Sequence, residues 1–137
     1  MDSQSKLTNL KYLLLQIRNA DDPMREHEIE CFSRGLDCPP GNIQVHCLIS
    51  SAPTLSQMQS VDAVLIGGSG DYSVVTAGPW FHDAVSAMRM LFDNDIPTFA
   101  SCWGFQAFSV ALGGKVVNDI QRAEIGTKEI KLTDAGL

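Results

Sequence analysis

The sequence predicts an open, mostly parallel α/β sheet with helices on both faces, and three observations carry that prediction. Short apolar runs alternate with amphipathic stretches, four of the runs have the length of buried strands, and a cysteine marks the junction of one such run with an apolar helix. The runs are residues 12–17 (YLLLQI), 43–49 (IQVHCLI), 63–66 (AVLI) and 96–100 (IPTFA). Each is too short and too apolar for an exposed helix. Pro97 cannot donate to a ladder, which places it at the beginning of the fourth strand.

The helices follow from their start and stop signals. Asp22-Pro23 offers an N-cap with proline at the first helical position, and Gly35 offers a left-handed stop, framing a helix of about three turns. A second helix starts at Pro79, where Trp80, Phe81, Ala84, Val85, Met88, Leu91 and Phe92 recur at helical spacing to form one apolar stripe. The third follows Cys102 and runs to Gly113-Gly114. Its apolar residues surround most of its circumference, as in a central buried helix. Residues 115–117 and 129–132 read as two further short strands, the second half-exposed. These elements make a flavodoxin-like sheet in a single domain over residues 1–137, whose first seven residues are a loose polar segment.

Composition narrows the function classes. With 45% hydrophobic and 19% charged residues the chain has enough apolar content to bury a core. Ten Lys+Arg against sixteen Asp+Glu give a net charge of -6, and no basic run is present to neutralise a phosphate backbone, so nucleic acid is not an expected partner. The run at residues 12–17 is far below the roughly 20 residues of a bilayer-spanning helix, and no cleavage site follows it. The expectation is a soluble cytoplasmic protein without a membrane partner. Cys31, Cys38, Cys47 and Cys102 include no C-x-x-C pair, so neither a disulfide frame nor a metal site is expected, and the first three read as small hydrophobes.

The chemistry concentrates in two segments. Residues 97–106 (PTFASCWGFQ) place Cys102 in the tight turn between a buried strand and a buried helix. A nucleophile in such an elbow stands exposed at the carboxyl end of the sheet, and small neighbours, here Ala100 and Gly104, let strand and helix approach. The helix N-terminus behind it favours thiolate over thiol. The second segment, residues 65–71 (LIGGSGD), is glycine-rich and directly follows another strand, so both segments line one crevice. The N–H groups of Gly68 and Trp103 could together hold a tetrahedral oxyanion.

Taken in order, the Gly67-Gly68 loop, the Cys102-Trp103-Gly104-Phe105-Gln106 elbow leading to residues 111–115 (ALGGK), and residues 124–127 (EIGT) followed by Leu132-Thr133 resemble the N-terminal two-thirds of a class I glutamine amidotransferase domain. The likeness is to the stand-alone kind similar to the glutaminase part of GMP synthase. The resemblance implies that Cys102 attacks the side-chain amide of glutamine, releasing ammonia and leaving a glutamyl thioester for water to hydrolyse. It also implies oxyanion-hole amides at Gly68 and Trp103, a glutamine pocket lined by Gly67, Gly68 and Gln106, no cofactor, and an ammonia-accepting synthase domain or subunit as partner. Ala100 stands where the family usually has glycine. The family's catalytic histidine and glutamate come from a His-Pro-Glu-type segment further downstream, so these residues read as an incomplete domain, inactive alone, whose open sheet edge favours a homo-oligomer.

Among the histidines, His46 falls within a strand and His27 within the first helix, while His82, in the first turn after the glycine loop, has the best approach to a strand end. Rival readings are a γ-glutamyl hydrolase or a DJ-1/PfpI-like member of the same superfamily, a non-catalytic domain for glutamine sensing or interaction, and a flavin- or nucleotide-binding module. Trp103 argues against the DJ-1/PfpI-like pattern, which places histidine after its cysteine. Residues 67–70 depart from G-x-G-x-x-G, and Gly114-Lys115 lacks the hydroxyl residue of a P-loop.

Overall fold

The computed structural model describes residues 9–137, so the expectation for residues 1–7 lies outside the described residues. Four strands, β1 (Tyr12–Gln16), β2 (Ile43–Cys47), β3 (Ala63–Ile66) and β4 (Thr98–Ala100), form one sheet in the order β2-β1-β3-β4 with every pair parallel. That order is flavodoxin-like, with the switch point between β1 and β3. All four predicted strands are present, β3 at its predicted bounds and the other three trimmed at an end. Pro97 lies just ahead of β4, where it forfeits no donor and its carbonyl accepts from Val64 N at 2.9 Å.

Alternation along the strands sorts side chains onto two faces. Leu13, Leu15, Val64 and Ile66 look one way, toward α2 (Leu55–Gln59), α3 (Phe81–Asp93) and α4 (Trp103–Ala111), which contribute Met58, Ala84, Met88, Leu91, Trp103 and Ala107. Tyr12, Leu14 and Leu65 look the other way and meet Ile29, Phe32 and Leu36 at α1 (Met24–Gly35). Helices therefore cover both faces. Every residue of β1 is buried, which explains why residues 12–17 read as a continuous apolar run rather than an alternating one.

Several local expectations need correction. Asp22 does cap α1, its Oδ1 accepting from Met24 N at 2.8 Å, but the left-handed residue after the helix is Asp37 (φ 49°) and not Gly35. Cys38 N closes that stop on Ser33 O at 3.0 Å, a bond for which the turn must fall two residues after Gly35. The short helix α2 was absent from the pattern reading because its apolar content is small. Its signal was Thr54-x-x-Gln57, a capping box in which Gln57 N donates to Thr54 Oγ1 at 3.1 Å and Thr54 N to Gln57 Oε1 at 2.9 Å.

The third predicted helix is not central. α4 buries Trp103, Gly104 and Ala107, while Phe105 is 64% and Leu112 42% exposed, because β4, which it follows, is an edge strand among the described residues. Residues 115–117 and 129–132 are not strands. With no neighbouring strand among the described residues to satisfy their backbone, they run without regular pairing. Residues 113–137 contain only the short turns Ile120–Arg122 and Asp134–Gly136, and Ile120, Ile125, Ile130 and Leu132 point into solvent.

Candidate active site

Cys102 occupies the N-cap position of α4, two residues after β4, with φ 52° and ψ -117°. A non-glycine residue held in this region is strained, and the surrounding bonds show what holds it. Ser101 N donates to Ile66 O at 3.0 Å, Gly104 N to Gly67 O at 3.0 Å, and Gln106 N to Cys102 O at 3.1 Å. The elbow is thus fastened to the end of β3 on one side and to its own helix on the other. A Cβ on Gly104 would sit 2.7 Å from both Ile66 O and Ile66 Cγ2, so only glycine lets α4 come this close to β3.

The glycine loop meets the elbow as the sequence implied. A Cβ on Gly68 would lie 3.6 Å from Cys102 Cβ and 3.7 Å from Sγ, which puts Gly68 next to the exposed Cys102. Trp103 N and the rest of the first turn of α4 lie at the same end of the sheet. Gln106, four residues after Cys102, projects from the same helical face and is exposed. Cys102, Gly67, Gly68, Trp103 and Gln106 therefore gather at the carboxyl ends of β3 and β4.

The Trp103 side chain does something the sequence left open. It is 2% exposed, stacks on Trp80 (centroids 5.7 Å, 27°) and meets Phe81 edge-on at 5.9 Å. Trp80 in turn receives Tyr72 edge-on at 5.4 Å, Tyr72 Oη donates to Asn19 Oδ1 at 2.6 Å, and Asn19 Nδ2 donates to Asp71 Oδ2 at 3.1 Å. The loop between β3 and α3 is in this way pinned both to the elbow and to the turn after β1. Trp80, anticipated as part of the α3 stripe, packs against the same core as that stripe and also stacks on the residue after Cys102.

A charged cluster lies under the same loop. Arg18 Nε donates to Glu28 Oε2 at 2.7 Å and Arg18 Nη1 to Asp22 Oδ2 at 3.1 Å. Burial pushes the Glu28 carboxyl up despite Arg18. Its bond to Met24 N and then the Arg18 charge pull Asp22 below the usual carboxylate range. Burial also works against the Arg18 charge, which the hydrogen bonds that Arg18 donates to the two carboxylates more than restore. Sequence reading missed this group. The available signals were Arg18 directly after an apolar run and Glu28 beside Ile29 on the covered side of a helix.

The three histidines have other contacts. His27 Nε2 lies 3.6 Å from Cys31 Sγ, His46 Nε2 lies 2.9 Å from Ser51 O, and His82, whose side chain is 89% exposed, stands 3.5 Å from Asp83. A cleft of about 570 Å³ is lined by Gln16, Asp22, Arg25 and Val45 among others and does not include Cys102. No helix among the described residues is long and apolar enough to cross a membrane. In comparisons with known proteins, the family model for glutamine amidotransferase class-I matches residues 41–136, which contain both the glycine loop and the elbow. No curated protein and no solved structure matches the chain.

Proposed function

Since the chain belongs to the class I glutamine amidotransferase family, we propose that Cys102 is the nucleophile that opens the side-chain amide of glutamine. The observation that carries this reading is the strained backbone of the exposed Cys102 at the strand end, with Gly68 as its neighbour from the glycine loop. The thiolate attacks the amide carbon, forming the C–S bond and placing negative charge on the amide oxygen. The N–H groups of Gly68 and Trp103 receive that charge. Collapse of the intermediate breaks the C–N bond, the nitrogen leaves as ammonia after taking a proton, and water later hydrolyses the γ-glutamyl thioester to glutamate.

Gly67, Gly68 and Gln106 line the substrate side of the sulfur, and an ammonia-accepting synthase domain or subunit consumes the product. Departure of ammonia requires a proton donor, and His27, His46 and His82 are each engaged elsewhere. An activated ester removes that requirement, because p-nitrophenolate leaves with its electron pair unprotonated. The test is therefore acylation by a γ-glutamyl p-nitrophenyl ester, followed by intact-mass analysis and peptide mapping. A thioester on Cys102, cleaved by hydroxylamine and absent from Cys102→Ala, is the expected result. An adduct that persists in Cys102→Ala would refute the reading. Release of ammonia from glutamine, as against glutamate from a γ-glutamyl peptide, separates an amidotransferase from a γ-glutamyl hydrolase.

A further inference from the structure

We infer that Glu28 is a positioning residue for the oxyanion turn, holding Gly67, and through it Gly68, in place beside Cys102. The inference rests on the acylation reading above. Glu28 is 8% exposed, and its Oε2 is fixed by Arg18 Nε at 2.7 Å. Arg18 is itself held by Asp22, which caps α1 through Met24 N. The carboxylate is thus tethered to the turn after β1 and to the start of α1 together.

Its other oxygen points at the glycine loop. Glu28 Oε1 is buried with no hydrogen-bond partner among the described residues, the Gln16 side chain being the other group that acts on this carboxylate besides Arg18, and it would lie 2.9 Å from a Cβ on Gly67. A buried carboxylate oxygen left unsatisfied is costly, so its retention calls for a compensating use. Gly67 is gripped from the other side, its carbonyl accepting from Gly104 N at 3.0 Å. The Gly67 backbone is therefore clamped between α1 and α4 at the switch point between β1 and β3, one residue before Gly68, whose amide the reading above assigns to the oxyanion. An oxyanion donor acts only when aimed in advance to within a fraction of an ångström. Removing the Glu28 side chain opens the space behind Gly67 and frees that aim. Cys102 stays fastened by Ser101 N to Ile66 O.

The experiment compares two reactions of Cys102 in the full chain. Acylation by the γ-glutamyl p-nitrophenyl ester passes through an oxyanion, whereas alkylation by iodoacetamide displaces iodide at a saturated carbon and forms none. In Glu28→Ala the acylation rate is expected to fall about tenfold or more while alkylation stays within about twofold of the unsubstituted chain. Glu28→Gln keeps a group of the same shape against Gly67 and retains acylation within about threefold. Glu28→Asp, which keeps the charge but withdraws from Gly67, loses acylation as well and serves should the alanine variant not fold. Gly67→Ala alone loses acylation by collision with Oε1, and Glu28→Ala in that background restores part of it. Equal acylation in Glu28→Ala or Glu28→Asp, or a parallel fall in alkylation, overturns the role of Glu28 while leaving the nucleophile standing. Failure of the unsubstituted chain to acylate at Cys102 overturns the acylation reading and this inference with it.

Discussion

Glu28 and Asp22 share one arginine and respond to it in opposite ways. The Glu28 carboxyl is raised above the usual carboxylate value because its burial outweighs Arg18, whereas Asp22 is lowered by its bond to Met24 N and by Arg18. For Glu28 the native state binds the proton more tightly than the unfolded chain. Stability from this group is therefore full below the ordinary glutamate value and declines as pH rises through the raised one. Asp22 contributes stability above its ordinary value and loses it as pH falls through the lowered one. Denaturant unfolding followed across the mildly acidic range should show the unsubstituted chain losing stability relative to Glu28→Gln as pH rises. A difference between the two that is flat with pH would contradict the assignment. The cluster was hard to read in the sequence because burial of a charge depends on which helix face meets the sheet, and Glu28 sits amid the charged run from Arg25 to Glu30.

At the scale of elements, the close approach of α4 to β3 sets the elbow. Gly104 has no room for a methyl group, with backbone Ile66 O at 2.7 Å from its notional Cβ and unable to rotate away. Gly104→Ala is expected to cost about 1–3 kcal/mol by overpacking, read as a lower denaturation midpoint, and to slow acylation of Cys102 as the elbow shifts. A midpoint and acylation rate equal to those of the unsubstituted chain would show that the approach is not needed. The strands were legible because β1 and β3 are buried on both faces and so read as unbroken apolar runs. α2 was not, since a helix as short as Leu55–Gln59 has little periodicity and announces itself only through its cap. The stop of α1 was misplaced for a related reason. Gly35 is the usual residue for a left-handed turn, but Asp also tolerates that conformation, and the bond from Cys38 N to Ser33 O fixes it at Asp37.

For the molecule as a whole, the fold class followed from alternation of apolar runs and helices, and the four-strand parallel order bears it out. The elbow and glycine loop were visible because both are local segments whose glycines and cysteine stand next to strand ends. What joins them was not visible. The Trp80–Trp103 stack and the Tyr72–Asn19 bond link positions 23 and 53 residues apart, and such pairings follow only from how the sheet assembles. The predicted strands at residues 115–117 and 129–132 failed on the same ground, since an apolar alternation becomes a strand only where a neighbour takes its hydrogen bonds. The most direct measurement of the central claim is peptide mapping by mass spectrometry after treatment with a chloroketone analogue of glutamine, with and without excess glutamine. The account predicts a single label on Cys102 that glutamine suppresses. Labelling of Cys31, Cys38 or Cys47 in preference to Cys102, or labelling of Cys102 indifferent to glutamine, would contradict it.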